Sequence, residues 1–195
     1  MQANYPKNVH ALSDNYEEVS IQTEFSLSGL TMRPPVTSDA ERIFLLYAMD
    51  SDVTKYLAWK PHRNLSVTSQ FVQSRIQEWK EESRFTWCIE SDSSQLLGLI
   101  SCKPQSESSY SISYVIGRQF WGRGFGTKVA NELVKYLISQ PNIFRVEAYC
   151  DTDNVGSSKV LEKLGMQFEC VAKRKANVPN FSDEPQDCLQ YALTR

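Results

Sequence analysis

Three glycines at every second position, Gly122, Gly124 and Gly126, interrupt the run WGRGFGTKVANELVKYL and lead straight into a stretch with helical periodicity. A glycine inside a helix costs about 1 kcal/mol relative to alanine, so three at a helix entrance need a reason. One reason is a tight turn. The other is a loop whose bare backbone comes close to a ligand, with N–H groups aimed at an anion in front of a helix N-terminus. Two common nucleotide loops do not account for the run: GxxxxGK[ST] is absent, and GxGxxG fails because position 127 is Thr127. Other reactive residue types are sparse. The histidines, His10 and His62, are too few and too far apart for a His-rich metal cluster, so no metal is expected. The five cysteines, Cys88, Cys102, Cys150, Cys170 and Cys188, are odd in number and include no C-x-x-C pair.

The elements that must position the loop follow from periodicity. FSLSGLTMRPP reads as a first strand near Phe25–Arg33, ended by a proline pair. In TSDAERIFLLYAM, Ser38 and Glu41 have capping-box spacing, and Ile43, Phe44 and Tyr47 share a helical face. A loop carrying Trp59 and His62 precedes a second helix with Phe71, Val72, Ile76 and Trp79 at helical spacing. FTWCIE, LLGLISCK and YSISYVIG then read as three strands, with SDSSQ as a hairpin turn. After the glycine loop, Val129, Ala130, Leu133, Val134 and Leu137 form one stripe of a helix. IFRVEAYCD is a strand, VGSSKVLEKLG a short helix, and MQFECVAKR and CLQYALT a closing pair of strands. This order predicts a mixed α/β or α+β domain without internal repeats.

A length of 195 residues fits about one domain at roughly 150 residues per domain. Residues 1–18 are polar and aperiodic, a tail or arm, and residues 19–195 are expected to form the domain. A formal net charge of −2 argues against indiscriminate binding to nucleic acid. No apolar run approaches the ~20 residues of a membrane span, and the N-terminal stretch lacks a signal-peptide layout. A cytoplasmic protein with neither nucleic-acid nor membrane partners is the expectation.

WGRGFGTKVA resembles the pyrophosphate-binding loop of the GNAT N-acetyltransferases, Q/R-x-x-G-x-G/A before a helix, with Trp121 in the Q/R slot. A tryptophan there is similar to the RimJ/RimL-like ribosomal-protein alanine acetyltransferase branch. DTDNVGSSKVLEKLGM resembles the family segment N-x-x-S-x-x-[VL]-x-E-K-L-G-F at Asn154, Ser157 and Leu161 to Gly165. LTMRPPVTSDAERIF and DCLQYALTR resemble the branch's opening and closing segments, so the likeness runs from about Leu27 to Arg195 in the right order.

The resemblance implies an α+β acyl-CoA N-acyltransferase fold, a mostly antiparallel central sheet flanked by helices. It implies acetyl-CoA as co-substrate and transfer of the acetyl group to a primary amine by direct attack through a tetrahedral intermediate. N–H groups of Gly122, Arg123, Gly124, Phe125, Gly126 and Thr127 would cradle the pyrophosphate, with the Arg123 side chain either on a phosphate or in solvent. The backbone of Tyr114, Val115 and Ile116 would meet the pantetheine, the Val115 N–H holding the thioester oxygen. Asn154 would hold the pantetheine or the loop, or cap its helix. Ser157 is either the proton donor to the departing sulfur or a helix cap. The slot where many relatives carry a helix tyrosine holds Leu161, which donates nothing.

Glu147, opposite in facing to Val146 and Ala148, is a candidate proton relay or simply a surface carboxylate, and Ser111 stands where the branch often has glutamate. Trp59, His62 and Trp87 are candidate acceptor contacts or ordinary core and surface residues. Asp187 is expected to organise the last hairpin, with Cys188 in place of the more usual serine. An α-amino group, pKa ~7.7–8.0, needs less help to lose its proton than lysine at ~10.4. A protein N-terminus is therefore the first choice of acceptor, ahead of a polyamine, amino acid or drug-like amine. A catalytically weak acyl-CoA sensor is the reading from another class. Relatives are commonly dimeric, so a homodimer is among the implied assemblies.

Overall fold

The computed structural model describes residues 21–195, so the polar arm expected over residues 1–18 lies outside the described residues. The first expected strand is a hairpin, β1 (Phe25–Leu27) and β2 (Leu30–Arg33). Gly29, at φ +80°, turns the chain in the left-handed region that glycine enters freely, and Leu27 pairs with Leu30.

Helix α1 (Asp39–Ile43) runs on into one π-helical turn, Phe44–Ala48. The Ser38–Glu41 capping box does not form, because Ser38 is already helical (φ −68°, ψ −13°) and its hydroxyl caps nothing. Asp39 takes over, accepting the Val36 N–H at 2.8 Å and a bidentate contact from Arg33 at 2.8 Å. The loop expected after α1 contains a short helix, α2 (Ser51–Thr54), capped by Asp50. Helix α3 (Leu65–Lys80) is capped by Asn64.

Three strands follow, β3 (Phe85–Ser91), β4 (Leu96–Ser106) and β5 (Ser109–Ile116). A 3₁₀ turn (Arg118–Phe120) and the glycine loop lead into α4 (Phe125–Ser139). The chain closes with β6 (Arg145–Asp151), α5 (Val155–Lys163), β7 (Gln167–Ala176) and β8 (Gln186–Thr194).

Among the described residues the sheet has eight strands in the order β1-β2-β3-β4-β5-β6-β8-β7, and β5–β6 is its one parallel pair. Both faces are covered, which makes two cores. Ile43, Tyr47, Val72, Cys88 and Leu99 join α1 and α3 to one face. Trp87, Ile100, Val146 and Leu161 meet the stripe of α4 in the larger cluster on the other. The period of β3 sorts its side chains accordingly, Trp87 and Ile89 into the larger core and Cys88 into the smaller.

Candidate active site

The one parallel pair is short. Strands β5 and β6 pair only over Ser109–Ser111 and Arg145–Glu147, after which β6 stays with β8 while β5 continues beside β4 alone. The two strands splay, and a cleft of about 840 Å³ opens between them, lined by Tyr114, Val115 and Ile116 on one side and by the start of α5 on the other.

The direction of the backbone groups in that gap follows from register. Gly117 N–H donates to Leu97 C=O at 2.9 Å, and antiparallel pairs alternate between bonded and non-bonded. Val115 therefore turns its N–H toward β4, while Tyr114 and Ile116 turn theirs into the gap. This corrects the expectation that Val115 N–H serves the cleft. A second observation agrees. A Cβ built on Gly98 would lie 2.1 Å from the Val115 carbonyl oxygen, so that carbonyl faces β4. The Ile116 N–H, on the same trans peptide, points the opposite way. Gly98 lies outside the cleft wall but packs against the Val115–Ile116 peptide, a relation no motif shows because it depends on a neighbouring strand.

The glycine loop closes one end of the cleft. Gly122 and Gly124 have φ of +73° and +79°, and a Cβ on either would meet nothing within 4 Å, so backbone conformation and not space demands glycine there. Gly126 differs. It lies in the first turn of α4 against Tyr114 and Ile116, where a Cβ would stand 3.5 to 3.8 Å from their side chains. The first helical bond runs from Lys128 N–H to Gly124 C=O, leaving the N–H groups of Phe125, Gly126 and Thr127 without a carbonyl in the helix. Trp121 anchors the loop, its indole N–H donating to Ile116 C=O at 2.7 Å.

The cleft brings together Tyr114, Val115, Ile116, Gly122, Gly124, Phe125, Gly126, Thr127, Asn154 and Ser157. Arg123 is not in its wall; the guanidinium lies over the rings of Phe125 and Phe120, at 5.0 and 5.9 Å. The cations that do line it are Lys55, Arg118, Lys159 and Lys163, with Arg118 paired to Asp52. Lys163 belongs to the E-K-L-G segment matched above, but nothing in the local sequence marked Lys55, Arg118 or Lys159, since exposed lysines and arginines abound on any surface.

Asn154 is the cap of α5, its Oδ1 accepting the Ser157 N–H at 3.1 Å. That relieves the Ser157 side chain of capping. The Ser157 hydroxyl instead meets the Tyr114 phenol at 3.0 Å across the gap. Leu161 is 1% exposed and packs in the core.

The remaining expectations fare differently. Glu147, in the last bonded pair of β5 and β6 opposite Ser111, stands where the strands begin to part and receives a hydrogen bond from Arg145 at 3.0 Å. Ser111 and Tyr114 are three positions apart, about 10 Å of strand, and Glu147 is not among the residues that line the cleft. Trp87 is completely buried, packs edge-on against Phe25 and Trp79, and donates to Thr23 C=O at 3.0 Å. It is a core residue and touches no acceptor. His62 is buried too, its ring tilted against Trp59 at 4.5 Å with Nδ1 2.8 Å from Thr68 Oγ1, and burial lowers its pKa. Neither His62 nor Trp59 lines the cleft, although Trp59 and Val115 pack against the same core cluster.

Tyr56 lines the cleft, with Phe181 behind it. Tyr56 stacks on Phe181 at 6.1 Å and donates to Asp153 C=O at 3.2 Å, bridging toward α5. Asn180 ties the two loops together, donating to the carbonyls of Thr54 at 2.8 Å and Trp59 at 2.7 Å. Asp187 does organise the last hairpin, accepting from Lys173 Nζ at 2.7 Å and from Arg174 N–H at 2.9 Å. Cys188 is buried.

A splayed parallel pair, a helix N-terminus at its end and a glycine loop between them form one architecture, and comparison with known proteins identifies it. The family model of the acetyltransferase (GNAT) domain matches residues 29–167. The chain belongs to the GNAT acetyltransferase family. YoaA of Bacillus subtilis (strain 168), an uncharacterised N-acetyltransferase, is 29% identical over 148 residues, 74% of this chain and 83% of its own. Among solved structures, the microcin C7 self-immunity acetyltransferase MccE, in complex with acetyl-CoA and AMP, superposes with a TM-score of 0.78 at 21% identity. That match covers 87% of this chain and 94% of MccE. RimL, a ribosomal L7/L12 α-N-protein acetyltransferase in complex with coenzyme A, gives 0.75 at 19% identity, covering 86% of this chain and 95% of RimL. The GNAT chain is thus an acetyltransferase, and its α+β sheet of eight strands flanked by helices is the family fold. No helix among the described residues is long and apolar enough to cross a membrane.

Proposed function

We propose that this protein transfers the acetyl group of acetyl-CoA to a primary amine, with a protein N-terminal α-amine as the first choice of acceptor. The observation that carries the reading is the opened β5 edge, where the Ile116 N–H, the glycine loop and Ser157 face one cleft. The loop and the first turn of α4 would hold the pyrophosphate, helped by ~0.3–1 kcal/mol from the helix dipole. Lys159 and Lys163 would meet the nucleotide's phosphates. The pantetheine would run along β5, its thioester oxygen accepting from Ile116 N–H as negative charge develops there. Ser157 would protonate the departing sulfur.

The acceptor reading rests on proton supply. Neither Glu147 nor His62 lines the cleft, and an amine of pKa ~7.7–8.0 reaches its neutral form near pH 7 without a strong base. The fold similarity to RimL supports it. A small cationic amine is the second reading, favoured by this aromatic pair: Lys55 Nζ stands 5.0 Å from the Tyr56 ring centre and 5.5 Å from that of Phe181, so an ammonium is at home on these faces.

The test is coenzyme A release with mass spectrometry of products. Its acceptors are peptides with free Ala, Ser, Thr or Met N-termini, the same peptides blocked, spermidine and free amino acids. Mass gain only on free N-termini is the expected result. Transfer to spermidine alone would overturn the first choice. Acetyl-CoA binding without any transfer would make the protein a sensor.

A further inference from the structure

Tyr114 belongs to β5, Ser157 to α5, and 43 residues of chain separate them. Their hydroxyls nevertheless meet at 3.0 Å where the two strands have already parted. The tyrosine ring lies against Gly126 of α4, where a Cβ would make ordinary contact at 3.8 Å with ring atoms Cδ2 and Cε2. The phenol finds two acceptors on Ser157, the hydroxyl at 3.0 Å and the carbonyl at 3.4 Å, and the hydroxyl is nearer. The Ser157 N–H is already taken by Asn154, so its hydroxyl is free to take part in a polar chain.

We propose that Tyr114 is a positioning residue for Ser157: the phenol donates to Ser157 Oγ and leaves that hydroxyl's own proton directed at the sulfur of the leaving coenzyme A. This rests on the acetyl-transfer reading above. In the step, the amine nitrogen bonds to the acyl carbon, the C–S bond breaks, and its electron pair stays on sulfur. One proton leaves nitrogen for cleft water, and one reaches sulfur from Ser157, which is reprotonated from that water. Tyr114 keeps its proton throughout. Burial pushes the phenol up to about 12, with the Ser157 hydrogen bond offsetting part of the rise, so near neutral pH it is a donor. A fixed donor behind a hydroxyl strengthens that hydroxyl as a donor in turn.

The experiment has an equilibrium arm and a kinetic arm, each run on wild type, Tyr114→Phe, Ser157→Ala and the double variant. The equilibrium arm titrates the thiol of bound coenzyme A by thiolate ultraviolet absorbance, subtracting the protein alone. A donor on the thiolate lowers the thiol pKa, so each single variant is expected to raise it. The double variant is expected to match Ser157→Ala. The kinetic arm expects Tyr114→Phe to lower kcat about 10-fold with little change in the KM for acetyl-CoA, and to have no effect once Ser157 is alanine.

A purely structural role would instead make the two losses multiply, and that outcome overturns the inference. So does an unshifted thiol in Tyr114→Phe. Failure of the wild type to bind coenzyme A would sink the cofactor reading itself. Additive effects with binding intact would sink this inference alone. The Phe variant removes one oxygen and no ring packing, and its melting temperature, with Ser157→Thr as a hydroxyl-retaining control, guards against misfolding.

Discussion

Strand β5 has two unlike edges. Toward β4 it is laddered along its length, from Ser109 opposite Ser106 to Ile116 opposite Gly98. Toward β6 it is bonded for three residues and then released. Beyond β4 on that side, an ion cluster ties β2, α1 and β3 together, where Arg33 and Arg42 share Asp39 and Glu90 at 2.6 to 3.2 Å. The open edge has backbone donors without strand partners, a glycine loop and a pair of hydroxyls. The contrast teaches that a sheet can make a binding site by leaving a ladder unfinished, provided the opposite edge is rigid enough to hold the strand in place.

Breaking the open edge should have the largest effect. Gly124→Glu places a side chain at a φ of +79° and a negative charge at the helix N-terminus proposed to hold the pyrophosphate. Acetyl-CoA affinity is expected to fall by about 100-fold or more in a protein whose circular dichroism is unchanged; calorimetry that still shows tight binding would mean the loop serves another purpose.

The closed edge is tested by Gly98→Ala. Its methyl must displace the Val115–Ile116 peptide, so kcat should drop by about 100-fold, as for loss of an oxyanion donor, at a stability cost of about 1–3 kcal/mol. A variant with wild-type kcat would show that the two edges are not coupled through this peptide. Ser157→Ala should lower kcat by about 10- to 100-fold with acetyl-CoA affinity nearly intact, and an unchanged rate would detach Ser157 from the chemistry. Lys159→Ala sharpens the comparison at its weakest point. This exposed rim cation should matter by about 2- to 5-fold in affinity, less at high salt.

The ion cluster beyond the closed edge also predicts a pH dependence. Burial alone would raise Asp39 and Glu90, but hydrogen bonds from Arg33 to both and from Arg42 to Glu90 outweigh it and hold both carboxyls below their ordinary range. Groups with lowered folded pKa values bind more protons when unfolded. Their stabilisation is complete above about pH 4 and is lost as the pH falls through the folded values. Melting temperature should be flat from neutral pH to about pH 5 and fall below about pH 4; in Arg33→Met the neutral value itself should drop, because Asp39 is then left buried with less compensation. Equal curves for the two proteins would show that the ion cluster does not stabilise the fold.

What the amino-acid sequence determined by itself was local. Glycines at 122 and 124 announce backbone conformations that other residues resist, and the apolar stripe of α4 follows from a period of 3.6; both are properties of a few consecutive residues. The order of strands and helices was legible for the same reason, as was the likeness of the glycine loop to the family's loop. The acceptor end was not. Trp87 alternates like any strand residue, and only its packing against Phe25 of β1 and Trp79 of α3 made it core. Glu147 faces away from Val146 and Ala148 as expected, yet it stands beside Arg145 in the last bonded pair and does not line the cleft. The direction of the Ile116 N–H, the space kept by Gly98 and the meeting of Tyr114 with Ser157 were decided by the tertiary structure. Each depends on register between segments far apart in the chain, and a shift of one residue would turn every one of these groups to the other side.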